Sequence, residues 1–276
     1  MVNSFNVELR SQQEWAWLVA IDLFFGGLGG GLFLLFHNLT LSPAIGLLSL
    51  GLVTVGGLVL LAELGHPMRA WRAMAKPGTS WISRGMISVF LFIVLGFFYV
   101  APSVFSWLPW NPSGYGERVI GTVAAICALL VTLYPGFVLS ASPAIPFWNS
   151  PLLPILFFAQ SLLGASAVVI LFSPFPGLLS LAAVLIIVNL VLIAIHLWTL
   201  EHSGLAAKEA VRLLQCGSLG WIFNVGVVLI GMVFPLVVTL WMPSAVVLAS
   251  AFILVGSLLF RYCVLKAGVY VPFALV

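Results

Sequence analysis

The sequence predicts an all-α, polytopic integral membrane protein whose residues 1–276 form one domain, a bundle of eight transmembrane helices. Of the 276 residues, 63% are hydrophobic and 6% are charged, whereas a soluble domain carries about 25% charged residues. Eight apolar stretches each reach the roughly 20 residues that a helix needs to cross a bilayer. Prolines separate most of these stretches, as helix breakers do between spans. The small, dispersed net charge of +3 indicates membrane lipid rather than nucleic acid as a partner.

The predicted spans cover residues 15–37, 43–62, 86–108, 119–140, 152–173, 177–200, 219–242 and 244–263. An even number of spans puts both termini on one side of the membrane, here named the N-side. Nine of the ten Lys and Arg residues fall on the N-side, and Arg118 falls on the other side. The positive-inside rule therefore predicts a cytoplasmic N-side. Docking of a partner subunit is the competing explanation for these cations.

The first span contains a glycine run, residues 26–31, and an acid. A nucleotide-binding loop follows a strand and precedes Lys-Ser/Thr, so these glycines instead predict close helix packing. Asp22 lies roughly 10 Å into the span when counted from Trp15 at about 1.5 Å per residue. An ionisable group at that depth is by default a functional candidate. A structural pairing with an Arg or Asn of another helix is the alternative.

The longest polar interruption of the sequence lies between the second and third spans, at residues 63–85. It holds four of the ten cations, namely Arg69, Arg72, Lys76 and Arg84. Because the protein has so few charges, their concentration in one loop predicts contact or chemistry at the membrane surface.

Polar residues of the spans are concentrated in one half of the bilayer. The N-side half is predicted to hold Asp22, Glu63, His66, Tyr134, His196, Glu201, Asn224 and Arg261. The opposite half has little beyond His37, Asn38 and Glu117. This asymmetry predicts a polar pocket that opens near one surface. A transport path would need polar groups at and beyond the midplane, where Gln160 and Asn189 are the main candidates.

The sequence predicts no haem, iron–sulfur cluster or other metal site in this chain. Two axial histidines must meet at one depth, but His37 lies at the far end of the first span and His196 lies near the N-side. Cys127, Cys216 and Cys263 stand apart, whereas a cluster normally needs four thiolates and structural zinc needs a comparable set. We expect the histidines to form hydrogen bonds or carry protons.

Six stretches carry a family resemblance that covers most of the sequence. They are residues 15–31, Glu63-Leu-Gly-His-Pro with Arg69-Ala-Trp-Arg72, Thr79-Ser-Trp-Ile-Ser-Arg-Gly85, Tyr134-Pro-Gly136 with Pro146-Phe-Trp-Asn149, residues 224–235, and Arg261-Tyr-Cys-Val-Leu-Lys-Ala-Gly268. Together they resemble the NrfD/PsrC-like membrane subunits of polysulfide reductase and related molybdopterin oxidoreductases. Residues 1–276 are accordingly similar to a single NrfD-like transmembrane domain.

The resemblance implies an eight-helix subunit without haem in a prokaryotic inner membrane. It implies a quinone, menaquinone or ubiquinone, bound near the membrane surface. Electrons would pass between this quinone and a four-cluster iron–sulfur subunit, which serves a molybdopterin catalytic subunit in anaerobic respiration.

The resemblance also implies roles for individual residues. Tyr134 matches the family's quinone-contacting tyrosine, and His66 and Arg69 are carried over as cofactor-binding residues because their loop matches. The relatives have His and Asn near the quinone on the first helix, where this protein has Asp22 and Val19. Asp22 is therefore expected both to contact the quinone and to exchange a proton.

A chemical hypothesis follows for quinol oxidation, which releases two protons and two electrons. A carboxyl group in apolar surroundings can exchange a proton near neutral pH. Asp22 and Glu63 are accordingly assigned catalytic roles. Asp22 accepts or donates one proton, Tyr134 hydrogen-bonds a quinone oxygen, and Glu63 or His66 leads protons to the N-side water.

Two other functions remain open from the sequence. A passive membrane anchor would fasten an enzyme to the bilayer without quinone chemistry, but it has no need for the buried carboxylate of Asp22. A small-solute transporter would carry an internal repeat with broken helices at the midplane, and no convincing repeat is evident.

Overall fold

The computed structural model describes residues 9–39, 41–108, 110 and 114–271. Within these residues, eight helices are long and apolar enough to cross a membrane, which confirms the predicted all-α, eight-span class. The spans are α1 (Trp17–Asn38), α2 (Pro43–Glu63), α3 (Trp81–Val104), α4 (Tyr115–Ser140), α5 (Leu152–Phe172), α6 (Pro176–Glu201), Ile222–Trp241 and α9 (Val246–Lys266). The seventh span consists of a π-helix, Ile222–Val233, followed by α8, Phe234–Trp241. A short helix, α7 (Leu205–Gln215), lies between α6 and the π-helix.

The third span begins five residues earlier than predicted, at residue 81 rather than 86. Ser80 caps its N-terminus, because the Ser80 side chain accepts a hydrogen bond of 3.3 Å from the backbone N–H of Ser83. Such a cap satisfies one of the free N–H groups of the first turn. The preceding loop is correspondingly shorter and contains a 3₁₀ helix, Pro67–Met74. Gly85, expected at the end of the loop, therefore lies in α3.

The helix α7 was not predicted, because its 11 residues are too few to cross a bilayer. Its buried residues are Ala206, Ala207, Ala210, Val211 and Leu214. This spacing forms a stripe along one side of a helix. The helix therefore packs its apolar side on the bundle and turns its charged side away from it.

The glycine run of α1 brings this helix close to its neighbours. A methyl group on Gly29 would lie 2.5 Å from the carbonyl oxygen of Ser49 in α2. A methyl group on Gly31 would lie 2.5 Å from the carbonyl oxygen of Ser161 in α5. Both distances are far below the ordinary van der Waals separation of roughly 3.5 Å. The predicted packing role of these glycines is confirmed.

The two ends of the described sequence lie side by side. The backbone N–H of Gln12 donates to the carbonyl oxygen of Gly268 at 2.9 Å. The Gln12 side chain donates to the carbonyl oxygen of Leu265 at 2.8 Å, and the Trp148 indole donates to that of Val264 at 2.8 Å. The segment before α1, the α4–α5 loop and the end of α9 are thus joined on the N-side.

Candidate functional site

Asp22 is buried in the first third of α1, with 7% of its surface exposed. It lies five residues after Trp17, the first residue of the helix, or about 7.5 Å along the axis rather than about 10 Å. Its carboxylate approaches Gly56 of α2, where an added methyl group would lie 3.3 Å from Asp22 Oδ1. Within the described residues, the carboxylate has neither an ion pair nor a hydrogen bond. The alternative role of Asp22, pairing with an Arg or Asn, has no support in these contacts.

Tyr134 lies in α4, six residues before the helix ends at Ser140, as predicted. Its ring packs directly on Gly85 of α3, where an added methyl group would lie 2.6 Å from Tyr134 Cε2 and Cγ. Two residues later, a methyl group on Gly136 would lie 2.5 Å from the backbone nitrogen of Pro154 in α5. The Tyr-Pro-Gly motif therefore lets α4 approach two helices at once, and the approach to α3 fixes the position of the tyrosine ring.

Three predicted residues, Asp22, Tyr134 and Glu63, lie on helices that pack against one another. The helix of Asp22, α1, contacts α2 at Gly56 and contacts α4 at Gly30. Glu63 is exposed at the last position of α2. It lies seven residues beyond Gly56, or about 10 Å along the same side of that helix. A buried acid, a phenol and an exposed acid thus form a group on adjoining helices in the N-side half of the bundle.

The structure does not bring His66 and Arg69 into this group by any described contact. Both are exposed at the start of the 3₁₀ helix, where the carbonyl oxygen of His66 accepts a hydrogen bond from the backbone N–H of Arg69 at 3.0 Å. Their neighbours Met68 and Trp71 are 88% and 66% exposed. The assignment of His66 and Arg69 as cofactor-binding residues stays a prediction, and their loop presents cations and large apolar side chains together.

Arg84 differs from the other cations of the loop because it holds the loop in place. Its guanidinium donates to the carbonyl oxygens of Pro77 at 2.7 Å and Gly78 at 2.8 Å. It also lies 4.4 Å above the ring of Trp81, which stacks on Phe137 of α4 at 4.3 Å. Arg84, in the first turn of α3, therefore holds the loop directly and contacts α4 through Trp81, one helical turn from Tyr134. This role was not predicted.

Arg261 of α9 was predicted to lie in the N-side half, but its contacts with α1 were not anticipated. It is 1% exposed and donates hydrogen bonds to the carbonyl oxygens of Leu23 and Ser257 at 3.0 and 2.9 Å. A third bond of 3.2 Å reaches the Ser161 hydroxyl. Gly27 makes room for the guanidinium, since a methyl group there would lie 2.6 Å from its Nη2. Arg261 thus ties α1 to α5 and α9 directly after Asp22.

Other polar residues of the N-side half have separate contacts. His196 lies edge-on to Phe147 at 5.2 Å, and neither of its ring nitrogens has a hydrogen-bond partner among the described residues. Asn224 of the π-helix donates to the carbonyl oxygen of Gln215 in α7 at 2.7 Å. The polar residues of this half therefore form several groups rather than the single pocket that the sequence predicted.

The sequence is similar to known proteins over most of its length. The family model "Polysulphide reductase, NrfD" matches residues 6–273. Protein NrfD of Escherichia coli K12 is 27% identical over 304 residues, covering 92% of this sequence and 94% of that protein. A polysulfide reductase component of Wolinella succinogenes is 24% identical over 305 residues, covering 98% and 96%. A sulfite dehydrogenase component of Allochromatium vinosum is 31% identical over 116 residues, covering 40% and 36%.

Proposed function

Because the chain belongs to the NrfD family, whose members are membrane subunits of oxidoreductase complexes, we propose that it binds a quinone and exchanges electrons with an iron–sulfur partner subunit. That partner serves a molybdopterin catalytic subunit. One observation supports the proposal: the side chain of Asp22 is buried without a hydrogen-bond partner among the described residues, and its helix α1 packs directly against α4, the helix of Tyr134.

The residues present fit a quinone headgroup. A ligand oxygen placed between Asp22 and Tyr134 would give the Asp22 carboxyl a hydrogen-bond partner. The Tyr134 hydroxyl is a hydrogen-bond donor, and the Asp22 carboxyl donates when protonated and accepts when ionised. The two residues therefore match a ligand whose ring oxygens alternate between carbonyl and hydroxyl. Menaquinone and ubiquinone both meet this description.

The same residues supply a route for protons. A bound quinol supplies two electrons and two protons. Asp22 would take the two protons one after the other at a carboxylate oxygen and pass each of them through water to Glu63, which would release it at the exposed end of α2. His66 is exposed three residues beyond Glu63 and would be a further proton carrier. Tyr134 keeps its own proton and orients the ring oxygen through a hydrogen bond.

The α2–α3 loop is proposed to dock the iron–sulfur subunit, for which the resemblance implies four clusters. Arg69, Arg72 and Lys76 are exposed there beside Met68 and Trp71. Trp, Met and Arg are the residue types enriched at protein interfaces. Arg69 is close to the proposed proton exit in sequence, and its guanidinium would also donate hydrogen bonds to a carbonyl oxygen of a bound quinone.

The proposed setting is the inner membrane of a prokaryotic cell. The charge bias supports a cytoplasmic N-side, and the pairing of residues 10–12 with residues 268–270 supports placing both termini there. We propose that residues 1–276 form one NrfD-like domain, which the family match over residues 6–273 supports.

Substitution of the two central residues tests the proposal. In the purified complex, Asp22→Asn removes a positioned proton carrier and Tyr134→Phe removes a positioned hydrogen-bond donor. Each should slow quinol-dependent reduction of the clusters by roughly 100-fold. Glu117→Gln makes the same carboxyl-to-amide change in the first turn of α4, on the opposite side of the membrane, and should leave the rate unchanged. Unchanged quinol turnover in Asp22→Asn would show that Asp22 is not the proton carrier.

Analysis of bound components separates the alternative functions. The gently purified native complex should contain extractable quinone and about sixteen irons per molybdenum if four four-iron clusters are present. Metals without quinone, together with no quinol-dependent reduction of the clusters, would identify a passive anchor. A preparation with neither metals nor quinone would point to transport.

A further inference from the structure

An open cavity, separate from the proposed quinone site, lies between the end of α6 and α7, and six of its seven lining residues are exposed. Its volume is about 700 Å³, within the roughly 300–1,000 Å³ of typical ligand pockets. Its lining residues are Glu201, His202, Lys208, Val211, Arg212, Gln215 and Cys216. None of these residues has a role in the function proposed above.

The walls of this cavity carry opposite charges. Lys208 and Arg212 lie four residues apart, on one side of α7. Glu201 is the last residue of α6, where the partial negative charge of the helix C-terminus adds to its carboxylate. Arg212 also pairs with Glu209 at 3.5 Å, but 76% of the arginine side chain is exposed, and such surface pairs contribute only about 0–1 kcal/mol. The cavity therefore offers cations on one wall and an anion on another.

Exposed tryptophans place the cavity at the level of the lipid headgroups. Trp198, on the last turn of α6, is 65% exposed and lies 5.0 Å from the ring of His202. Trp221, directly before the π-helix, is 78% exposed. Tryptophan is enriched at the boundary between membrane and water. A ligand in this cavity would therefore have access from the lipid phase.

We propose that this cavity binds the headgroup of a phospholipid that carries both a phosphate and a primary ammonium group. The phosphate lies against Lys208 and Arg212, and the ammonium donates hydrogen bonds to Glu201. Charge-assisted hydrogen bonds of this kind are among the strongest in proteins. A glycerol headgroup satisfies the two cations and leaves Glu201 without a cationic partner. A choline headgroup has no N–H to donate to Glu201.

Lipid retention measured by native mass spectrometry tests this proposal. The full-length subunit in its complex is stripped of lipid in mild detergent and then incubated with equal amounts of phosphatidylethanolamine, phosphatidylglycerol and phosphatidylcholine. The wild-type protein should retain phosphatidylethanolamine about tenfold more than phosphatidylcholine, a difference of about 1.4 kcal/mol. Equal retention of these two lipids would overturn the proposal.

Variants assign the two walls of the cavity. Glu201→Gln should abolish the preference for phosphatidylethanolamine over phosphatidylglycerol, and Glu201→Asp should keep it. The double variant Lys208→Ala/Arg212→Ala should lose both lipids. Arg118→Ala removes an exposed cation on the opposite side of the membrane and should retain lipid as the wild type does. A preference that survives in Glu201→Gln, in a protein with wild-type thermal stability, would contradict the assigned ammonium contact.

A soluble competitor identifies the source of the headgroup. Phosphoethanolamine without acyl chains should not displace the bound lipid at equal concentration, because the lipid phase holds the remainder of the ligand. Displacement at equal concentration would show that the cavity serves a soluble metabolite and would overturn the assignment to lipid.

Discussion

Gly85 controls the position of Tyr134, and its replacement by alanine should slow quinol oxidation. An added methyl group would lie 2.6 Å from Tyr134 Cε2 and Cγ, whereas carbon atoms in contact are separated by about 3.5–4.0 Å. The ring must therefore move by about 1 Å, or α3 and α4 must separate by as much. A displacement of about 1 Å at a reacting geometry costs roughly 100-fold in rate. We expect a loss of this size in quinol-dependent cluster reduction.

The effect of Gly85→Ala on the free energy of unfolding should be smaller than its effect on the activation free energy, which is about 2.7 kcal/mol for a 100-fold loss of rate. Overpacking of a close contact costs about 1–3 kcal/mol, and alanine regains about 1 kcal/mol over glycine through helix propensity. The net loss in the free energy of unfolding is therefore about 0–2 kcal/mol. Thermal unfolding of the purified complex, followed beside the quinol assay, measures both quantities on one preparation.

Two comparisons make this experiment decisive. Gly51→Ala changes a glycine of α2 whose added methyl group would have no atom within 4 Å, so it should keep the wild-type rate. In a Tyr134→Ala background the clash is gone, and Gly85→Ala should then cost no stability, giving a coupling of about 0.5–3 kcal/mol between the two sites. A wild-type rate in Gly85→Ala, together with a large loss in Tyr134→Phe, would refute the reasoning from ring position.

Three further changes have defined expected outcomes. Gly136→Ala places a methyl group 2.5 Å from the nitrogen of Pro154 and should lower the free energy of unfolding by about 1–3 kcal/mol, measured by thermal unfolding; an unchanged midpoint would show that α4 and α5 separate without cost. Arg84→Ala removes two hydrogen bonds to loop carbonyls and should increase proteolysis within residues 64–80, whereas Arg118→Ala should not. Replacing Arg69, Arg72 and Lys76 by alanine should weaken binding of the iron–sulfur subunit and reduce the salt dependence of that binding. Co-purification of the two subunits at increasing ionic strength measures both effects. If the triple variant retained the iron–sulfur subunit as fully as the wild type at every salt concentration, this loop would be excluded as the docking surface.

The spans could be predicted from the sequence because about 20 consecutive apolar residues are needed to cross a bilayer. Their ends were less predictable, since hydropathy does not detect a cap such as Ser80, which adds a turn to α3. The helix α7 was not predicted, because a search for long apolar stretches does not detect a short amphipathic helix. The π-helix of the seventh span has the same apolar composition as an α-helix and left no separate signal.

The candidate site was only partly predictable for a different reason. Asp22 and Glu63 stand out as acids in or beside apolar spans, and Tyr134 was identified through the family resemblance. Gly56 and Gly85 matter only because they face Asp22 and Tyr134 across helix contacts. The rotation and pairing of helices decide such contacts, and a single sequence with uniformly apolar spans does not specify them.

The surroundings of Arg261 are compatible with the proposed role of Asp22 as a proton carrier. The bundle core contains both a buried carboxylate and a buried guanidinium, and a direct ion pair would offset part of the cost of removing both charges from water. The described contacts show another solution: Arg261 binds two carbonyl oxygens and the Ser161 hydroxyl. One of these carbonyls belongs to Leu23, the residue that follows Asp22. Arg261 thus holds the backbone next to Asp22 and donates its hydrogen bonds to neutral oxygens. The Asp22 carboxyl is therefore left free to bind the proposed quinone and a proton.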